Sequence, residues 1–287
     1  MDLSLNHNRS VVAVVWLFNP EIKRLTKVLK SIMGQVDKII LVDNSSSNIK
    51  EIQGLCEGLR DKITLLRLGF NSGVHALNIG MKYACDKLNP HWILLLDQDT
   101  IVQPNAIAKV LAELNPLYVD KIGALLMLSK EGKSKFITIK YGIFSGCLIN
   151  VHVIKQGVKV REDFFLDQAD FDFFERIRAR GFLTIAYSGE KLIEHKIGAS
   201  SPIHVKLPLI GVTEVYEPAW RYYYIARNST VLLMEGKLDV KFYLGQLIVF
   251  AIPLIFCEGI SKFFKTLTLA IAHGLGRKLG YLDPKIL

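Results

Sequence analysis

The chain has 287 residues, half of them hydrophobic, and a formal net charge of +9. That length can form one large core, or one core with an appendage. The positive charge favours polyanionic partners, namely anionic lipid, phosphorylated small molecules or nucleic acid. No run of Lys and Arg interleaved with aromatic residues suggests a nucleic-acid groove, so nucleic acid ranks last. The four cysteines are far apart and form no Cys-x-x-Cys pair, which argues against a zinc site or a disulfide framework and indicates a reducing compartment.

The first predicted strand is the β-branched apolar run 11–17, which Asn19-Pro20 ends. Pro20 suits the first turn of a helix, which should run to Ile32 through Leu25, Val28 and Leu29. No basic region precedes the first apolar run, which is only of strand length. We therefore expect no signal peptide and a cytoplasmic protein.

Polar residues follow the next two predicted strands, at 38–42 and 63–67. Asp43-Asn44-Ser45-Ser46 suits recognition of a base or ribose, and equally an N-cap of the next helix at Ser46 or Ser47. Asn71-Ser72-Gly73 opens a helix that should reach about Leu88. The free amides of its first turn could face an anionic ligand. Alternatively, Asn71 caps this helix and Asn78 is merely exposed.

Two carboxylates follow the fully apolar strand 92–96, in Asp97-Gln98-Asp99. The carboxyl ends of parallel strands form the crevice in which open α/β sheets bind ligands. One or two such carboxylates, with the phosphates of a substrate, commonly hold Mg²⁺ or Mn²⁺. The alternative is that Asp97 caps the following turn and Asp99 is a solvated loop residue.

The alternation of strands and helices up to this point predicts a parallel, doubly wound sheet. The pattern then loosens. We predict a strand at 122–128, a turn at 130–133 and a second hairpin arm at 136–140. A further strand at 143–149 has Gly146 near its centre, where glycine indicates either a close approach by a ligand or backbone, or a simple bulge.

A second group of acids, Asp167, Asp170 and Asp172, lies beside a string of Phe residues at the start of a helix that should end near Gly181. Carboxylates are favoured near a helix N-terminus, which accounts for one of them. An Asp held against apolar walls also suits a general base. His195 follows two short predicted strands at 183–187 and 191–193. A lone His is usually structural, but imidazole is an acceptable third ligand for Mn²⁺ beside two carboxylates.

The composition changes near Pro202, so we predict a domain of residues 1–201 and a helical region of residues 202–287. A helix should begin at Pro218 and reach about Glu235. The uncharged run 243–257 has 15 residues, short of the roughly 20 that span a bilayer. Residues 260–279 form a basic amphipathic helix of the kind that lies in a membrane interface. The alternative is a helical hairpin packed on the core or on a second subunit.

Taken in order along residues 10 to 235, these motifs resemble the inverting family 2 glycosyltransferases of the GT-A fold, and within them the bacterial rhamnosyltransferases most. The motifs that carry the resemblance are Val14-Val15-x-x-Phe18-Asn19-Pro20, Val42-Asp43-Asn44-Ser45-Ser46, Asn71-x-Gly73 with Ala76-Leu77-Asn78-x-Gly80, Asp97-Gln98-Asp99, Ser145-Gly146, Phe165-Leu166-Asp167-x-x-Asp170-x-Asp172, His195-x-x-Gly198 and Tyr224-x-x-Arg227-Asn228. Ala169 stands where the family has a Glu directly before the Asp that is its catalytic base. Leu17 stands where the family has Thr or Ser before the Phe-Asn at the end of the first strand.

The resemblance implies an α/β fold with a mostly parallel central sheet, flanking helices and a C-terminal helical extension. It implies that Asp97, Asp99 and His195 hold Mn²⁺ or Mg²⁺, and that Asp170, or else Asp167, is the catalytic base. The implied donor-binding residues are Asn19, Asp43, Asn71, Gly73, Asn78, Asp97, Gln98, Gly146 and Arg227.

The implied activity is transfer of a sugar with inversion, with L-rhamnose from dTDP-rhamnose as the first choice. The acceptor would be a polysaccharide or a lipid-linked saccharide of the cell surface, reached at the cytoplasmic face of the membrane, and the chain could form a homodimer. The alternatives are another UDP- or dTDP-sugar transferase of the same family, a nucleotidyltransferase, and a non-catalytic membrane-surface binding module. A nucleotidyltransferase would carry a basic Gly-rich loop where Phe18-Asn19-Pro20-Glu21 stands, and a binding module would be expected to have lost Asp97, Asp99 or Asp170.

Overall fold

The computed structural model describes residues 10–127, 134–195, 199–207 and 211–287. The chain divides into two compact units, and each is described by itself. The first comprises Met1–Val160 and Phe173–His195, and the second comprises Arg161–Asp172 and Lys196–Leu287. The domain boundary predicted after residue 201 stays a prediction.

The first unit is built on a central mixed sheet. Its strands are β1 (Val11–Leu17), β2 (Lys38–Asp43), β3 (Ile63–Arg67), β4 (Trp92–Asp97), β5 (Ile101–Val102), β6 (Ile122–Leu126), β7 (Phe136–Thr138), β8 (Cys147–Asn150), β9 (Leu183–Tyr187) and β10 (Ile193–Glu194). Among the described residues the large sheet has the order β3-β2-β1-β4-β8-β6-β9-β7, and β5 pairs with β10 in a separate ribbon.

The four strands β1 to β4 run parallel, as the alternating pattern predicted. β1 lies between β2 and β4, with Leu17 opposite Asp43 and Trp16 opposite Asp97. The polar residues that follow each strand therefore meet at one edge of the sheet. This edge is where sequence reasoning placed the site.

The hairpin predicted from 122–128 and 136–140 is wrong. β7 pairs antiparallel with β9 and lies at the edge of the sheet. β6 is occupied on both sides, by β8 and by β9, so no edge is left for β7. The turn predicted at 130–133 lies outside the described residues.

Helices flank the sheet of the first unit, as the apolar periodicity predicted. Their bounds are α1 (Ile22–Ile32), α2 (Ile49–Cys56), α3 (His75–Tyr83), α4 (Ala106–Ala112), α5 (Val151–Lys155) and α6 (Ala169–Ala179), whose first turn belongs to the second unit. α1 buries Leu25, Val28, Leu29 and Ile32, the residues of its predicted apolar face. A π-helical turn, Ala84–Leu88, extends α3.

The second unit contains the hairpin of β11 (Ala199–Leu207) and β12 (Gly211–Tyr216) and the helices α7 (Ala219–Met234), α8 (Val240–Glu258) and α9 (Ile260–Leu275). The hairpin was not predicted, whereas the three helices were. The uncharged run lies inside the longer α8, which is long and apolar enough to cross a membrane by length and composition and which is mostly not buried within the protein. α8 contains Pro253, and Ala251 and Leu254 pack in a cluster with Tyr222 and Phe263.

Candidate active site

Asp97, Asp99 and His195 come together in the first unit. Asp97 ends β4, and the antiparallel pairing of β5 with β10 brings His195, which follows β10, beside the Asp97-x-Asp99 segment. One potential ligand atom from each of the three side chains lies within 4.8 Å of those of the other two. Two carboxylate oxygens and one imidazole nitrogen at this spacing fit a divalent cation such as Mn²⁺ or Mg²⁺. The structure thus brings together the three residues that were predicted to hold a metal ion, and their role as ligands stays a prediction.

Buried hydroxyls orient this cluster. The Oγ1 of Thr100 lies 2.7 Å from Nδ1 of His195 and 2.7 Å from Oγ of Ser145. Ser145 Oγ also accepts a hydrogen bond of 3.0 Å from the backbone N–H of Asp97. Nδ1 of His195 also lies 3.9 Å from Oδ2 of Asp97, so its contact with Thr100 sets the orientation of the imidazole beside the acids.

Trp16 and Gln98 fix the acidic segment to β1. The indole N–H of Trp16 donates a 2.7 Å hydrogen bond to Oδ1 of Asp97. The Gln98 amide accepts from the backbone N–H of Phe18 at 2.8 Å and donates to the carbonyl of Phe18 at 3.2 Å. Gln98 thus ties the strand ends together, and its predicted contact with a donor stays a prediction.

Asp43 and Asn19 lie at the ends of β2 and β1, on the same edge of the sheet. Asp43 is buried, and its carboxylate accepts from the backbone N–H of Ser46 at 3.2 Å. Asn19 has a left-handed backbone, and its side-chain oxygen accepts from the N–H and the hydroxyl of Ser47. The alternative that Ser46 or Ser47 caps α2 is wrong, since Asn48 occupies the N-cap position.

The loop before α3 is organised by Asn44, which sequence reasoning did not single out. Asn44 is 1% exposed, and its side-chain oxygen accepts from the backbone N–H and hydroxyl of Ser72. Asn71 accepts from the N–H of Gly73 at 3.0 Å, and Gly73 has φ +59°. α3 begins only at His75, so Asn71 is not its N-cap. The available signal was the position of Asn44 directly after Asp43 at a strand end.

Asn78 is held by the backbone of Val160. Its amide donates to the Val160 carbonyl at 2.8 Å and accepts from the Val160 N–H at 2.8 Å. The alternative of a merely exposed Asn78 is therefore wrong. This side chain fixes residue 160 against α3, and its predicted donor contact stays a prediction.

Gly146 permits close packing by Ile193. A Cβ at position 146 would lie 2.5 Å from Ile193 Cδ1, and Gly146 has φ +78°. The close neighbour of this glycine is thus a side chain of β10, two residues before His195. Gly146 therefore allows β10 to pack closely against it, and its predicted contact with a donor stays a prediction.

In the second unit, the three acids before and within α6 have different surroundings. Asp170 lies half-buried in the first turn of α6, and its carboxylate accepts from the N–H of Phe171 at 2.9 Å. The Asp167 carboxylate accepts from Arg221 at 3.1 Å. Asp172 is fully buried and accepts from Lys237 at 2.6 Å. The last two carboxylates are thus paired with cations.

Asp172 belongs to a larger set of ion pairs in this unit. Arg161 bonds to both carboxylate oxygens of Asp163 and to Glu235 at 3.0 Å. Although burial opposes the change, hydrogen bonds from Lys237 and Arg277 and the charge of Arg161 lower the pKa of Glu235 to about 2. Paired charges of this kind explain how Asp172 can be buried.

Glu217 and Arg221 were missed by sequence reasoning. Glu217 is 3% exposed, and Arg221 lies 3.1 Å from its carboxylate as well as from that of Asp167. Burial raises the pKa of Glu217 to about 7, although Arg221 opposes this shift. Their spacing of four residues was the signal, but Glu217 precedes the helix, so the pair was not apparent.

Arg227 is buried within the second unit. Its guanidinium donates to the carbonyl of Gly280 at 2.9 Å and to the side chain of Asn228 at 2.9 Å, and it lies over the rings of Tyr223 and Tyr224. These contacts are within the protein. Its predicted role in donor binding stays a prediction.

Residues 13–138 match the model of the glycosyl transferase family 2. The chain is similar to the dTDP-rhamnosyl transferase RfbF of Shigella flexneri, with 25% identity over 264 residues that cover 84% of this chain and 86% of RfbF. It is 30% identical over 118 residues to the hyaluronan synthase of Streptococcus pyogenes, and that match covers 38% of this chain and 27% of the synthase.

Two similar solved structures cover nearly all of the chain. The mannosyltransferase PcManGT from Pyrobaculum calidifontis, in complex with GDP-Man and Mn²⁺, has a TM-score of 0.58 at 14% identity and is matched over 96% of this chain and 77% of its own. Residues 1–349 of S. aureus TarS, in complex with UDP-GlcNAc, have a TM-score of 0.58 at 14% identity, over 93% and 80%. At these identities the likeness shows the fold.

Proposed function

We propose that the chain is a glycosyltransferase of family 2, whose model matches residues 13–138, and that it transfers L-rhamnose from dTDP-rhamnose. The predicted resemblance to this family and to its rhamnosyltransferases is confirmed, as is the GT-A fold. The observation that carries the proposed donor is the similarity to RfbF, which extends over most of both chains. The proposed acceptor is a polysaccharide or a lipid-linked saccharide.

The group of candidate metal ligands supports this chemistry. A divalent cation held by Asp97, Asp99 and His195 would neutralise the negative charge that develops on the departing nucleoside diphosphate. The chain itself fixes the cluster before the donor arrives. Thr100 sets the orientation of His195, and Trp16 that of Asp97.

Asp170 is the proposed base. Its carboxylate takes the proton from the attacking acceptor hydroxyl, the new bond forms between that oxygen and the anomeric carbon, and the bond from this carbon to the diphosphate oxygen breaks. The electron pair of the broken bond leaves with the nucleoside diphosphate, and in-line displacement inverts the anomeric centre. Asp167 is the alternative base, and its carboxylate is paired with Arg221.

A donor panel tests the proposed function. The full chain is incubated with dTDP-rhamnose, UDP-sugars and GDP-mannose, with Mn²⁺ or Mg²⁺ and then with EDTA, and both nucleotide release and nucleotide binding are measured. Metal-dependent release or tight binding with dTDP-rhamnose alone is the expected result. Selective use of a UDP-sugar would retain the fold and mechanism and reject the proposed sugar.

The proposed place of action is the cytoplasmic face of the membrane, where α8 and α9 would contact anionic lipid. The supporting observation is that each helix exposes large apolar side chains at helical spacing: Leu244, Ile248 and Phe256 on α8, and Ile260, Phe264 and Leu275 on α9. The exposed Lys241 and Lys265 add positive charge to the same two helices. Apolar stripes with basic residues are typical of helices that lie in the interface of an anionic bilayer.

We infer that α8 lies in the interface and does not span the bilayer. Along α8, contacts with α7 hold the helix: Tyr222 donates to the carbonyl of Leu247, Ser229 donates to Gln246, and Thr230 is hydrogen bonded to Tyr243. A spanning helix would lose these contacts, whereas an interfacial helix keeps them and buries only its exposed stripe.

Sedimentation with liposomes tests this placement. The double variant Phe256→Ser/Phe264→Ser should bind phosphatidylglycerol-containing vesicles at least about tenfold more weakly, since each Phe removes apolar area from water on insertion. Leu117→Ser, which changes a residue that is 81% exposed in the first unit, is the matched control. If the double variant binds vesicles as wild type does but no longer forms a dimer in sedimentation velocity, the exposed apolar side chains of α8 and α9 contact a second copy of the chain and not the membrane.

A further inference from the structure

The turn that leads into α6 has an unusual backbone. Asp167 and Gln168 are consecutive non-glycine residues with φ +53° and +61°. Left-handed conformations are disfavoured for residues with a Cβ and persist where the surroundings hold them. Asp170 lies in the first helical turn directly after this segment. Whatever holds the turn therefore sets the position of Asp170.

Asn228 of α7 holds this turn. Its side-chain N–H group donates to the carbonyl of Leu166 at 2.7 Å and to that of Asp167 at 2.9 Å. Asn228 is fully buried, so these hydrogen bonds are shielded from water. One amide group thus satisfies two successive carbonyls of the strained segment.

Arg227 determines which way the Asn228 amide points. Its Nε donates to Oδ1 of Asn228 at 2.9 Å, so the oxygen must face the guanidinium and the NH₂ must face the turn. The guanidinium is itself held by the carbonyl of Gly280 at 2.9 Å. The adjacent Arg and Asn therefore act as one unit.

The same face of α7 makes two more contacts with the segment. Arg221, seven residues before Asn228, pairs with the Asp167 carboxylate at 3.1 Å, and the buried Glu217 lies on the other side of that guanidinium at 3.1 Å. Between them, Tyr224 packs on Phe165 with ring centroids 5.5 Å apart. Spacings of three and seven residues place all three contacts on one face of the helix.

We propose that Asn228, supported by Arg227 and Arg221, is a positioning residue that fixes the Asp167–Gln168 turn and thereby the reactive geometry of Asp170. This inference rests on the proposed function, in which Asp170 is the base. It gives the Tyr224-x-x-Arg227-Asn228 motif a role in the proton-transfer step that does not require contact with the donor.

Asn228→Asp tests the proposal, because it keeps the shape of the side chain and replaces the NH₂ donor by an oxygen that the two carbonyls repel. The variant is made in the wild-type and in the Asp170→Asn backgrounds, and kcat, the donor KM and thermal unfolding are measured. Ser229→Ala is the matched control, since Ser229 is also fully buried on α7 but bonds to Gln246.

In the wild-type background Asn228→Asp should lower kcat by about 10- to 100-fold and leave the donor KM within about twofold. In the Asp170→Asn background it should cost less than about threefold, because the group that it positions is gone. Ser229→Ala should leave kcat unchanged. An equal loss of kcat in both backgrounds would mean that Asn228 has only a structural role, and this would overturn the inference. It would leave the assignment of Asp170 as the base unaffected.

Arg221→Gln repeats the cycle at a side chain that is 36% exposed, so the test remains available if Asn228→Asp does not fold. It removes the partner of Asp167 without altering the buried amide. We expect the same non-additivity with Asp170→Asn, with a smaller loss of kcat. If Asp170→Asn by itself leaves kcat unchanged, Asp170 is not the base and the proposed function is wrong on that point. Failure of the present inference would instead appear as additive losses of kcat in the double variants, so the two failures can be told apart.

Discussion

Nδ1 of His195 lies 2.7 Å from the hydroxyl of Thr100, a residue 95 positions earlier in the chain. The same hydroxyl contacts Ser145, which accepts from the backbone N–H of Asp97. Two of the three candidate metal ligands are therefore joined through buried hydroxyls. The orientation of the imidazole depends on residues that do not themselves offer a ligand.

Thr100→Val should weaken the apparent affinity for Mn²⁺ by about 10- to 100-fold, because the valine keeps the shape but cannot fix the imidazole. Turnover should recover at saturating Mn²⁺. Metal titrations of the transferase rate measure both quantities. Thr26→Val, at a hydroxyl that donates to the Ile22 carbonyl within α1, is the control and should not change the titration. Equal metal affinity in the two variants would contradict the role given to Thr100.

Asp99→Asn should lower metal-dependent turnover by on the order of 10²-fold or more, since a catalytic cation supplies several kcal/mol of charge stabilisation and this carboxylate would help to hold it. The rate is measured with the preferred sugar nucleotide over a range of Mn²⁺ and Mg²⁺ concentrations. Asp86→Asn, which removes the exposed partner of Lys82, is the control. A near-normal rate for the Asp99 variant would remove this residue from the metal site.

Gly146→Ala should destabilise the protein by about 1–3 kcal/mol, because the added Cβ meets Ile193 at 2.5 Å and the backbone has a positive φ. Urea unfolding measures the loss. Adding Ile193→Val removes the clashing Cδ1 and should restore part of the stability, while the backbone strain remains. If the second substitution has no effect, the contact with β10 is not what requires glycine here.

Glu217 should make stability depend on pH. Because burial raises its pKa to about 7, the folded protein binds its proton more tightly than the unfolded chain does. The stabilisation that protonated Glu217 contributes to the free energy of unfolding is fully present below the ordinary carboxyl pKa of about 4.3 and is lost as the pH rises through about 7. The free energy of unfolding should therefore fall with rising pH in this window, and Glu217→Gln should flatten the fall.

Urea unfolding at several pH values between about 4.5 and 8 checks the prediction. The control is Glu57→Gln at an exposed carboxyl, which should leave the slope unchanged. A slope that is the same in the Glu217 variant and in wild type would show that another group titrates in this window.

Much of the site could be predicted from the sequence, because buried parallel strands have a strong signature. The runs 11–17, 38–42 and 92–96 became β1, β2 and β4, and parallel pairing then placed Asp43 and Asp97 at one edge of the sheet. His195 was proposed from its chemistry beside two carboxylates, and the pairing of β5 with β10 places it there.

Other features could not be predicted, because they depend on which elements meet. Strand propensity predicted a strand at 136–140 that pairs with the strand at 122–128. In the structure β6 is paired on both sides, with β8 and β9, so β7 pairs with β9. Three acids looked alike before and within α6. Only the folded second unit brings Arg221 to Asp167 and Lys237 to Asp172, from separate parts of the chain.

By itself, the sequence determined the buried strands, the apolar helix faces and the kinds of side chain at the strand ends, since periodicity and residue chemistry are local properties. Only the tertiary structure decided the orientation of those side chains. Thr100 fixes His195, Gln98 ties Phe18, and Asn228 holds the turn before Asp170 through hydrogen bonds between residues far apart in the chain. Such bonds depend on distances that no local pattern encodes, because they arise when separate elements pack together.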